Sequence, residues 1–235
     1  MYYAWRFFCI RFLLIATHIN RKEQDFGLKS VILYEDQDIL VCYKPAGFAV
    51  QSARASQMDM ESELRGYLHG GGLYVVHRLD QPVEGILVFA KNRSAAAKLG
   101  AQMQDDVMNK YYRALICGEM PETEGVLIDQ IAKKENGVTK HAELSYRIET
   151  YNPDMDVSDV RICLKTGRFH QIRIQFSRAG HPLVGDRRYG DERAQESAAA
   201  LGLKNVALCA ERLSFIHPQN GKEMDFSTTP QFHKT

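Results

Sequence analysis

The chain has 235 residues, a formal net charge of +1, and 45% hydrophobic and 25% charged residues. This composition is typical of a folded globular protein and excludes disordered and collagen-like chains. Because the chain is almost neutral, a nucleic-acid site would have to come from a local cluster of basic residues. The five cysteines include no CxxC pair, and we interpret them as reduced, buried thiols of a cytoplasmic protein rather than as disulfide partners or zinc ligands.

Residues 1–30 are rich in aromatic and aliphatic side chains but do not predict a membrane span. Arg6 and Arg11 interrupt the apolar stretch, which stays far short of the roughly 18 residues that a spanning helix needs. No basic start followed by a small-residue cleavage site is present, so a signal peptide is not expected. Three interpretations stay open: a short packed helix, a weak membrane-surface segment, or upstream sequence from a misassigned start. We expect an N-terminal extension at 1–30 and a single domain at 31–235.

The first half of the chain predicts short strands and two helices. Runs of β-branched and aromatic residues, bounded by turn formers such as EDQD, indicate the strands. Apolar residues at helical spacing, with Met58, Leu64 and Leu68 on one side, indicate the first helix. Ser94 is the predicted N-cap of the second. The predicted strands are Val31–Tyr34, Ile39–Tyr43, Leu73–Val76 and Ile86–Ala90, and the predicted helices are 55–69 and 94–106.

The second half predicts more strands than helices. Partial alternation of apolar and polar residues predicts strands at 111–118, 142–151, 160–166 and 170–178, and a final strand pair at 206–218. A helix is predicted at 194–203. Because these elements do not alternate as βαβ units would, we predict an α+β domain around a large mixed or antiparallel sheet.

Two segments place polar and basic residues beside predicted strands. The first is HRLD at 77–80, and the second is 165–190, where six basic residues oppose the single acid Asp186. The resulting local charge of +5 is the kind of excess expected of a phosphate-contacting surface, with a solvated basic face as the alternative. Interleaved glycines and aromatic rings, on which an unstacked base can lie, favour a nucleic-acid groove.

Other chemistries have weaker support in the sequence. His170 and His181, together with His77 or Asp186, could be imagined as metal ligands, but no HxxxH or HExxH spacing occurs. The motifs GxSxG, GxxxxGK[ST] and GxGxxG are absent, so neither a serine hydrolase nor a nucleotide-binding loop is indicated. Asp80, considered alone, is either a turn residue or a catalytic carboxylate.

Taken together, the motifs resemble those of a known family. HRLDQPVEGILVFAKN, KYYRALICG and GRFHQIRIQFSRAGHPLVGDRRYG are similar, in this order, to motifs of the RluA-type RNA pseudouridine synthases. The resemblance extends over residues 31–230 and implies that 31–235 is the catalytic domain. It implies the pseudouridine synthase fold, an α+β fold with a long, bent, mixed or antiparallel β-sheet flanked by helices and an RNA cleft. The implied enzyme is an isomerase that detaches uracil from its ribose, rotates it and reattaches it through C5, without cofactor or metal.

Three residues match positions that carry catalysis in this family. Asp80 falls on the catalytic aspartate, Tyr112 on the active-site tyrosine, and Arg173 on the residue expected to pair with the aspartate. The resemblance implies that ionised Asp80 acts as a nucleophile or base, with Arg173 compensating its desolvation. Tyr112 is expected to stack on the uracil and is a candidate acceptor for the C5 proton. Attack on C6, attack on C1′ and abstraction of a sugar proton all stay open as routes for Asp80.

RNA is the expected partner, in the form of structured rRNA or tRNA, and no membrane partner is expected. The protein is expected to act as a monomer. The alternative is a catalytically inactive RNA-binding protein of the same fold, but binding a polyanion would not need the carboxylate of Asp80. The residues expected to contact RNA are His77, Arg78, Lys110, Gly167, Arg168, His170, Gln171 and His181.

Two positions depart from the usual pattern of the family. Val83-Glu84 stands where Thr-Ser usually precedes the glycine, and Phe169 stands where GRTHQ usually has threonine. Glu84 is expected to add a negative charge near an RNA-facing loop and so to affect the choice of RNA. The first 30 residues are also too few for the small RNA-binding domain that many relatives carry.

Overall fold

The computed structural model describes residues 28–52, 57–132 and 138–233. Residues 1–27 of the expected N-terminal extension lie outside the described residues. The described part of the chain forms ten β-strands, four α-helices and one short 3-10 helix. None of these helices combines the length and the apolar composition that crossing a bilayer requires.

The strands are β1 (Val31–Glu35), β2 (Ile39–Lys44), β3 (Tyr74–Val75), β4 (Glu84–Ala90), β5 (Asn109–Cys117), β6 (Glu124–Ala132), β7 (Thr139–Asn152), β8 (Val157–Leu164), β9 (Leu208–Ile216) and β10 (Glu223–Ser227). The helices are α1 (Met60–Tyr67), α2 (Arg93–Gln104), α3 (Gln171–Arg178) and α4 (Glu192–Ala200), and the 3-10 turn is Gln231–His233.

All ten strands belong to one sheet, with the order β1-β2-β4-β9-β5-β8-β7-β6; β3 also pairs with β4, and β10 with β9. β4 and β9 run parallel, whereas the other described pairs are antiparallel. Gly85 makes the parallel contact possible, because its φ is +129° and a Cβ there would lie 2.5 Å from backbone atoms of Ala210. The predicted α+β fold with a large mixed sheet is confirmed.

The first half of the chain follows the predicted element order with shifted boundaries. Helix α1 begins at Met60 because the side chain of Asp59 accepts a hydrogen bond from the Ser62 N–H. Met58, predicted to lie on the apolar side, precedes the helix and is 60% exposed. Helix α2 is capped by Asn92, whose side chain accepts from the Ala95 N–H, so the prediction of Ser94 as N-cap was wrong.

One predicted strand in the second half is a helix. Residues 170–178 were predicted to be extended, but Gln171–Arg178 is α3. The alternation of Ile172, Ile174 and Phe176 suggested a period of two, whereas burial of Ile172 and Phe176 follows the i, i+4 spacing of a helix face. The predicted strand pair at 206–218 is the single strand β9, which pairs with β10. β6 was not predicted, because most of its side chains are partly or fully exposed.

Two faces of the central strands have different chemistry. Tyr112, Ile162 and Tyr146 are cross-strand partners on β5, β8 and β7, and they define what we call the inner face. This face belongs to the largest buried hydrophobic cluster. Helix α3 packs over it, with Phe176 edge-on to Tyr146 at 5.9 Å between ring centroids. The opposite side, which we call the outer face, carries Arg113 and its cross-strand partner Arg161.

Candidate active site

Asp80 lies in the connection between β3 and β4, with 24% of its side chain exposed. Its carbonyl accepts a hydrogen bond from the Val83 N–H at 3.0 Å, which closes a turn just before β4. The next carbonyl, that of Gln81, accepts from the Gly47 N–H at 2.9 Å. The Asp80 carboxylate is therefore partly accessible, and the backbone of its turn is hydrogen-bonded to Gly47 in the segment after β2.

The side chain of Lys44 supports the same turn through hydrogen bonds. This role was not predicted from the sequence. The Lys44 side chain is fully buried at the end of β2. The Nζ donates to the carbonyl oxygens of Phe48 at 2.6 Å, Pro45 at 3.1 Å and Gln81 at 3.1 Å. Burial lowers the pKa of Lys44 to about 7, against the opposite influence of the carboxylates of Asp80 and Glu84. Three carbonyl acceptors match the three N–H donors of an ammonium, so Lys44 ties the Asp80 turn to the core.

Arg173, in the first turn of α3, bonds to two carboxylates. Its Nε and Nη2 each donate to Asp186 at 2.7 Å, and its Nη1 donates to Asp80 Oδ2 at 3.2 Å. Arg173 and Asp186 are buried, with side-chain exposures of 6% and 0%. The predicted pairing of Arg173 with Asp80 is thus present in the structure, and Asp186 is an additional partner.

Asp186 fixes the position of the Arg173 guanidinium. Besides the two bonds from Arg173, Asp186 Oδ1 accepts from the backbone N–H groups of Arg188 and Tyr189. Burial alone would raise the pKa of Asp186, but these hydrogen bonds and the guanidinium charge lower it below its ordinary value. Burial opposes the charge on Arg173 as well, and the two carboxylates nevertheless raise the pKa of this arginine. Both groups are charged at neutral pH, and Asp80 keeps acceptor capacity for a substrate.

His170 adds a second nitrogen beside Asp80. Its backbone has φ +54°, in the left-handed region, immediately before α3. The Nε2 lies 3.5 Å from Asp80 Oδ2, and the Nδ1 lies 2.9 Å from the Tyr189 hydroxyl. Burial lowers the pKa of His170, although the Asp80 carboxylate acts in the opposite direction. We assign a neutral ring protonated on Nε2, because this tautomer points its donor at Asp80 and accepts from Tyr189.

Tyr112 completes the group from the centre of the sheet. The pairing of β5 with β9 shifts register between Tyr111 and Arg113, so Tyr112 lies at an irregularity of the strand. Burial, reinforced by the nearby Asp80 charge, raises the pKa of Tyr112, and the phenol is protonated at neutral pH. None of the described residues hydrogen-bonds to its hydroxyl. The structure therefore brings all three residues predicted to be catalytic, Asp80, Tyr112 and Arg173, to one place.

Several residues predicted to contact RNA are accessible near this group. Arg78 is exposed two positions before Asp80, and Gly167 is exposed in the loop before α3. Lys110 Nζ lies beside Gly167, 3.7 Å from the position that a Cβ on this glycine would occupy. Arg168 is partly buried and donates through Nε to the His141 carbonyl at 2.7 Å. Arg78 is thus close to Asp80 in the chain, and Lys110 and Arg168 lie next to Gly167 as a second basic group.

Three other predicted RNA contacts have protein partners instead. His77 Nε2 accepts from the Val88 N–H at 3.2 Å, and burial lowers the pKa of His77 to about 3. The Gln171 side chain is buried and bonds to Thr166, Arg168, Gln175 and the Glu143 carbonyl. His181 Nδ1 donates to the Cys117 carbonyl at 3.0 Å. These side chains are thus engaged within the protein.

One carboxylate–histidine group elsewhere has the spacing of a metal site. Asp36, Asp38 and His217 approach one another at the start of β2. His217 Nδ1 accepts from the backbone N–H groups of Gln219 and Asn220, so its Nε2 carries the proton and donates to Asp36 at 2.7 Å. Since the imidazole nitrogens are already engaged, we interpret this cluster as a hydrogen-bond network that fastens the β9–β10 turn to β2.

Known proteins are similar to this chain in sequence and in fold. Residues 38–178 match the family described as RNA pseudouridylate synthase. The chain belongs to this family. It is an isomerase that acts on uridine in RNA, as the resemblance implied.

Three relatives illustrate the relationship. The chain is 34% identical over 220 residues to ribosomal large subunit pseudouridine synthase C of Vibrio vulnificus, an alignment of 90% of this chain and 68% of the relative. It is 35% identical over 228 residues to ribosomal large subunit pseudouridine synthase D of Zymomonas mobilis, covering 88% and 70%. The fold is similar to that of human RNA pseudouridylate synthase domain containing 4, with a TM-score of 0.71, 21% identity, and coverage of 85% and 88%.

The departures from the usual pseudouridine synthase pattern have different locations. Glu84 is 4% exposed, and it accepts hydrogen bonds from the Tyr43 hydroxyl and, at 2.7 Å, from the Gln231 N–H. The expectation of a negative charge in an RNA-facing loop was therefore wrong: Glu84 instead holds the C-terminal 3-10 turn on the sheet. Phe169, by contrast, is 47% exposed and stacks on His170 with 3.6 Å between ring centroids. Of the two departures from the family pattern, only Phe169 is therefore accessible, and it adds an aromatic ring next to His170.

Proposed function

We propose that this chain converts uridines of large-subunit rRNA to pseudouridine, with Asp80 as the catalytic carboxylate. The ribosomal target is supported by the relatives, which are named as large-subunit pseudouridine synthases C and D. The role of Asp80 is supported by one observation above all. Arg173, held by two bonds to Asp186, directs its third donor nitrogen at a carboxylate that is still partly accessible.

The surrounding groups suit a reaction in which Asp80 is ionised. Arg173 stabilises the carboxylate, while the neutral His170 ring provides a donor without adding another full charge. Tyr112 offers a buried ring on which the flipped uracil can stack. After reattachment the proton on C5 has to leave, and the protonated Tyr112 hydroxyl can take part in its removal only by giving up its own proton in the same step. Asp80, Tyr112 and Arg173 are the proposed catalytic residues.

The remaining proposals concern organisation and location. We assign the activity to a catalytic domain at 31–235, preceded by an extension at 1–30. A monomer suffices, because the three catalytic residues come from one chain. The cytoplasm is the proposed location, since bacterial ribosomes are made there and the relatives are bacterial ribosomal enzymes. Arg78, Lys110, Gly167 and Arg168 are the proposed RNA contacts closest to solvent.

Tritium release tests the proposed reaction and its substrate. Large-subunit rRNA, small-subunit rRNA and tRNA of the source organism would be transcribed with uridine tritiated at C5, so that they lack all modifications. We expect the wild-type protein to release tritium from large-subunit rRNA and not from the other two. Release from tRNA alone would overturn the ribosomal target, and no release from any of the three would overturn the proposed enzyme.

A further inference from the structure

A cavity of about 280 Å³ adjoins the Asp80 turn. One wall consists of Gln81 and Pro82, the two residues that follow Asp80. The opposite side consists of Arg187, Lys204 and Asn205, from the loops that precede and follow α4. Four of the ten residues that line the cavity are cationic and none is acidic. The cavity therefore lies within one residue of the proposed catalytic carboxylate and is lined by positive charge.

Three polar side chains of this cavity have no protein partner in the described part of the chain. Neither Arg187 nor Lys204 is paired with a carboxylate there, and the Asn205 amide makes no hydrogen bond to a described residue. Arg173, also in the lining, is different because Asp186 and Asp80 occupy it. Donors that converge on a cavity without an internal acceptor are suited to an external anion.

The backbone around the cavity is built for close approach. Gly185 has φ +75°, and a Cβ there would lie 2.7 Å from the Asn205 carbonyl oxygen. Gly47 has φ +83°, and a Cβ there would lie 3.7 Å from the Asn205 side-chain oxygen. The first glycine brings the Asp186 loop against the segment that carries Asn205, and the second leaves space in front of its side chain. The position of Asn205 is thus fixed by the fold, while Arg187 and Lys204 are exposed side chains of the lining.

We propose that this cavity binds the phosphodiester group of the RNA strand next to the target uridine, through Arg187, Lys204 and Asn205. This inference rests on the proposed function, because it uses Asp80 as the position of the target nucleotide. A base directed at Asp80 and Tyr112 places its own backbone beside Gln81 and Pro82. A phosphate is the anion that an RNA strand offers there, and a cavity of about 280 Å³ holds a phosphate with its sugar.

The charge of the site explains why such a contact is needed. Asp80 carries a negative charge that repels the phosphates of the substrate, and Arg173 is shared between Asp80 and Asp186. Arg187 and Lys204 supply additional positive charge at the place where the strand has to approach the carboxylate. They bind and position the strand, while the chemistry stays with the groups that face the base.

Salt-dependent binding tests the proposal with substitutions that each remove one positive charge. The variants are Lys204→Gln, Arg187→Gln and, as a control, Lys222→Gln in the exposed turn before β10. The probe is a fluorescein-labelled decamer of oligouridylate, titrated with each full-length protein between 50 and 300 mM KCl. Loss of one phosphate contact should reduce the slope of log K against log salt by about 0.7. We expect this reduction for Lys204→Gln and Arg187→Gln, and no change for Lys222→Gln.

Kinetics on unmodified large-subunit rRNA provide the second measurement. Lys204→Gln and Arg187→Gln should raise KM by about 5–10-fold, as expected for one charged contact, and leave kcat within about twofold. Lys204→Arg should restore KM. The proposal is overturned if both Gln variants match Lys222→Gln in slope and in KM. If the wild-type protein releases no tritium, the proposed function fails, and the salt slopes alone then decide whether the cavity binds the strand.

Discussion

Two arginines, on opposite faces of the same sheet, each contact two carboxylates. On the outer face, Arg113 bonds to Asp159 through Nε and Nη2 and lies 3.7 Å from Glu149. On the inner face, Arg173 forms the corresponding pair of bonds with Asp186 and directs Nη1 at Asp80. Each cluster is centred on one arginine with two carboxylates, but the two clusters differ in burial and in the groups that surround them.

The outer cluster is closed by further ion pairs. Glu149 also lies 3.7 Å from Arg161, which bonds to Glu211 at 2.8 Å, and Asp159 also contacts His233 at 3.0 Å. On the inner side, Asp186 is fully buried, whereas Asp80 is 24% exposed beside the His170 ring and the basic cavity. An arginine–carboxylate pair therefore does not identify a catalytic site. The distinguishing feature is one carboxylate that is oriented by the arginine and left available to a ligand.

The largest expected effect follows from removing the negative charge of each accessible partner. Asp80→Asn keeps the side-chain shape but removes the base or nucleophile, and should lower the rate of tritium release by at least about 10²–10⁴-fold. Glu149→Gln removes the analogous charge from the outer cluster, that of a carboxylate 25% exposed and 3.7 Å from Arg113, and should change the rate by no more than about twofold, because it lies on the face of the sheet opposite Asp80. Single-turnover assays on unmodified large-subunit rRNA would measure both. Equal rates for the two variants would remove the functional distinction between the clusters.

A smaller effect is expected from substitution of Lys44, whose side chain is hydrogen-bonded to the Asp80 turn. Lys44→Met removes the donor to the carbonyls of Pro45, Phe48 and Gln81. We expect the free energy of unfolding to fall by about 2 kcal/mol. Each buried carbonyl left without a donor costs about 1–3 kcal/mol, and removal of the buried charge of Lys44 offsets part of that cost. The rate of tritium release should also fall, since the turn loosens. Urea denaturation and single-turnover kinetics give the two values.

Lys91→Met is the matched control for this substitution. Lys91 donates at 2.6 Å to the Glu35 carboxylate and at 2.6 Å to the Asp36 carbonyl, at the other end of β4. Its loss should reduce stability and leave the catalytic rate of the folded protein unchanged. If Lys44→Met retains the wild-type rate, the Asp80 turn does not depend on this support.

The last expected effect concerns stability and leaves the chemistry aside: it is a pH dependence that comes from His77. Burial lowers its pKa from 6.5 to about 3, so the unfolded chain binds a proton more readily than the folded one in this range. Stability from this group is fully present above pH 6.5 and is lost as the pH falls toward 3, with a slope of at most about 1.4 kcal/mol per pH unit. Urea titrations between pH 4 and pH 7 should show a slope in the wild type that is reduced in His77→Gln by the part that His77 contributes. An unchanged slope in His77→Gln, relative to the exposed control His141→Gln, would assign the pH dependence to other groups.

The sequence predicted the fold class because most strands carry a local signal. β2 and β4 are runs of buried apolar residues, and α2 is rich in alanine, so length and composition sufficed. Helix α3 was predicted to be a strand because apolar and polar residues alternate in QIRIQF. Its conformation depends on tertiary contacts, namely the buried side chains of Arg173 and Gln175, whose partners lie elsewhere in the chain.

The catalytic residues were predictable from sequence motifs. The hydrogen-bond partners of individual side chains were not. Asp80, Tyr112 and Arg173 were identified by resemblance, and the structure places them together. The partnership of Arg173 with Asp186 was missed, although Asp186 is the single acid of a basic segment and follows the turn-forming Gly185. Lys44 gave no signal, because a lysine at the end of an apolar strand usually extends to solvent. The burial of Glu84 depends on Gln231, which lies 147 residues away in the chain.

The central claim is that Asp186 fixes Arg173 and that Arg173 in turn orients Asp80. A double-mutant cycle with Arg173→Ala and Asp186→Ala, read out as the single-turnover rate of tritium release per folded molecule, tests it most directly. Since residues that act as a unit are not additive, the double variant should be no slower than Arg173→Ala alone, with a coupling of about 1–3 kcal/mol. Losses that multiply independently, or an Asp186→Ala variant with the wild-type rate, would contradict the claim.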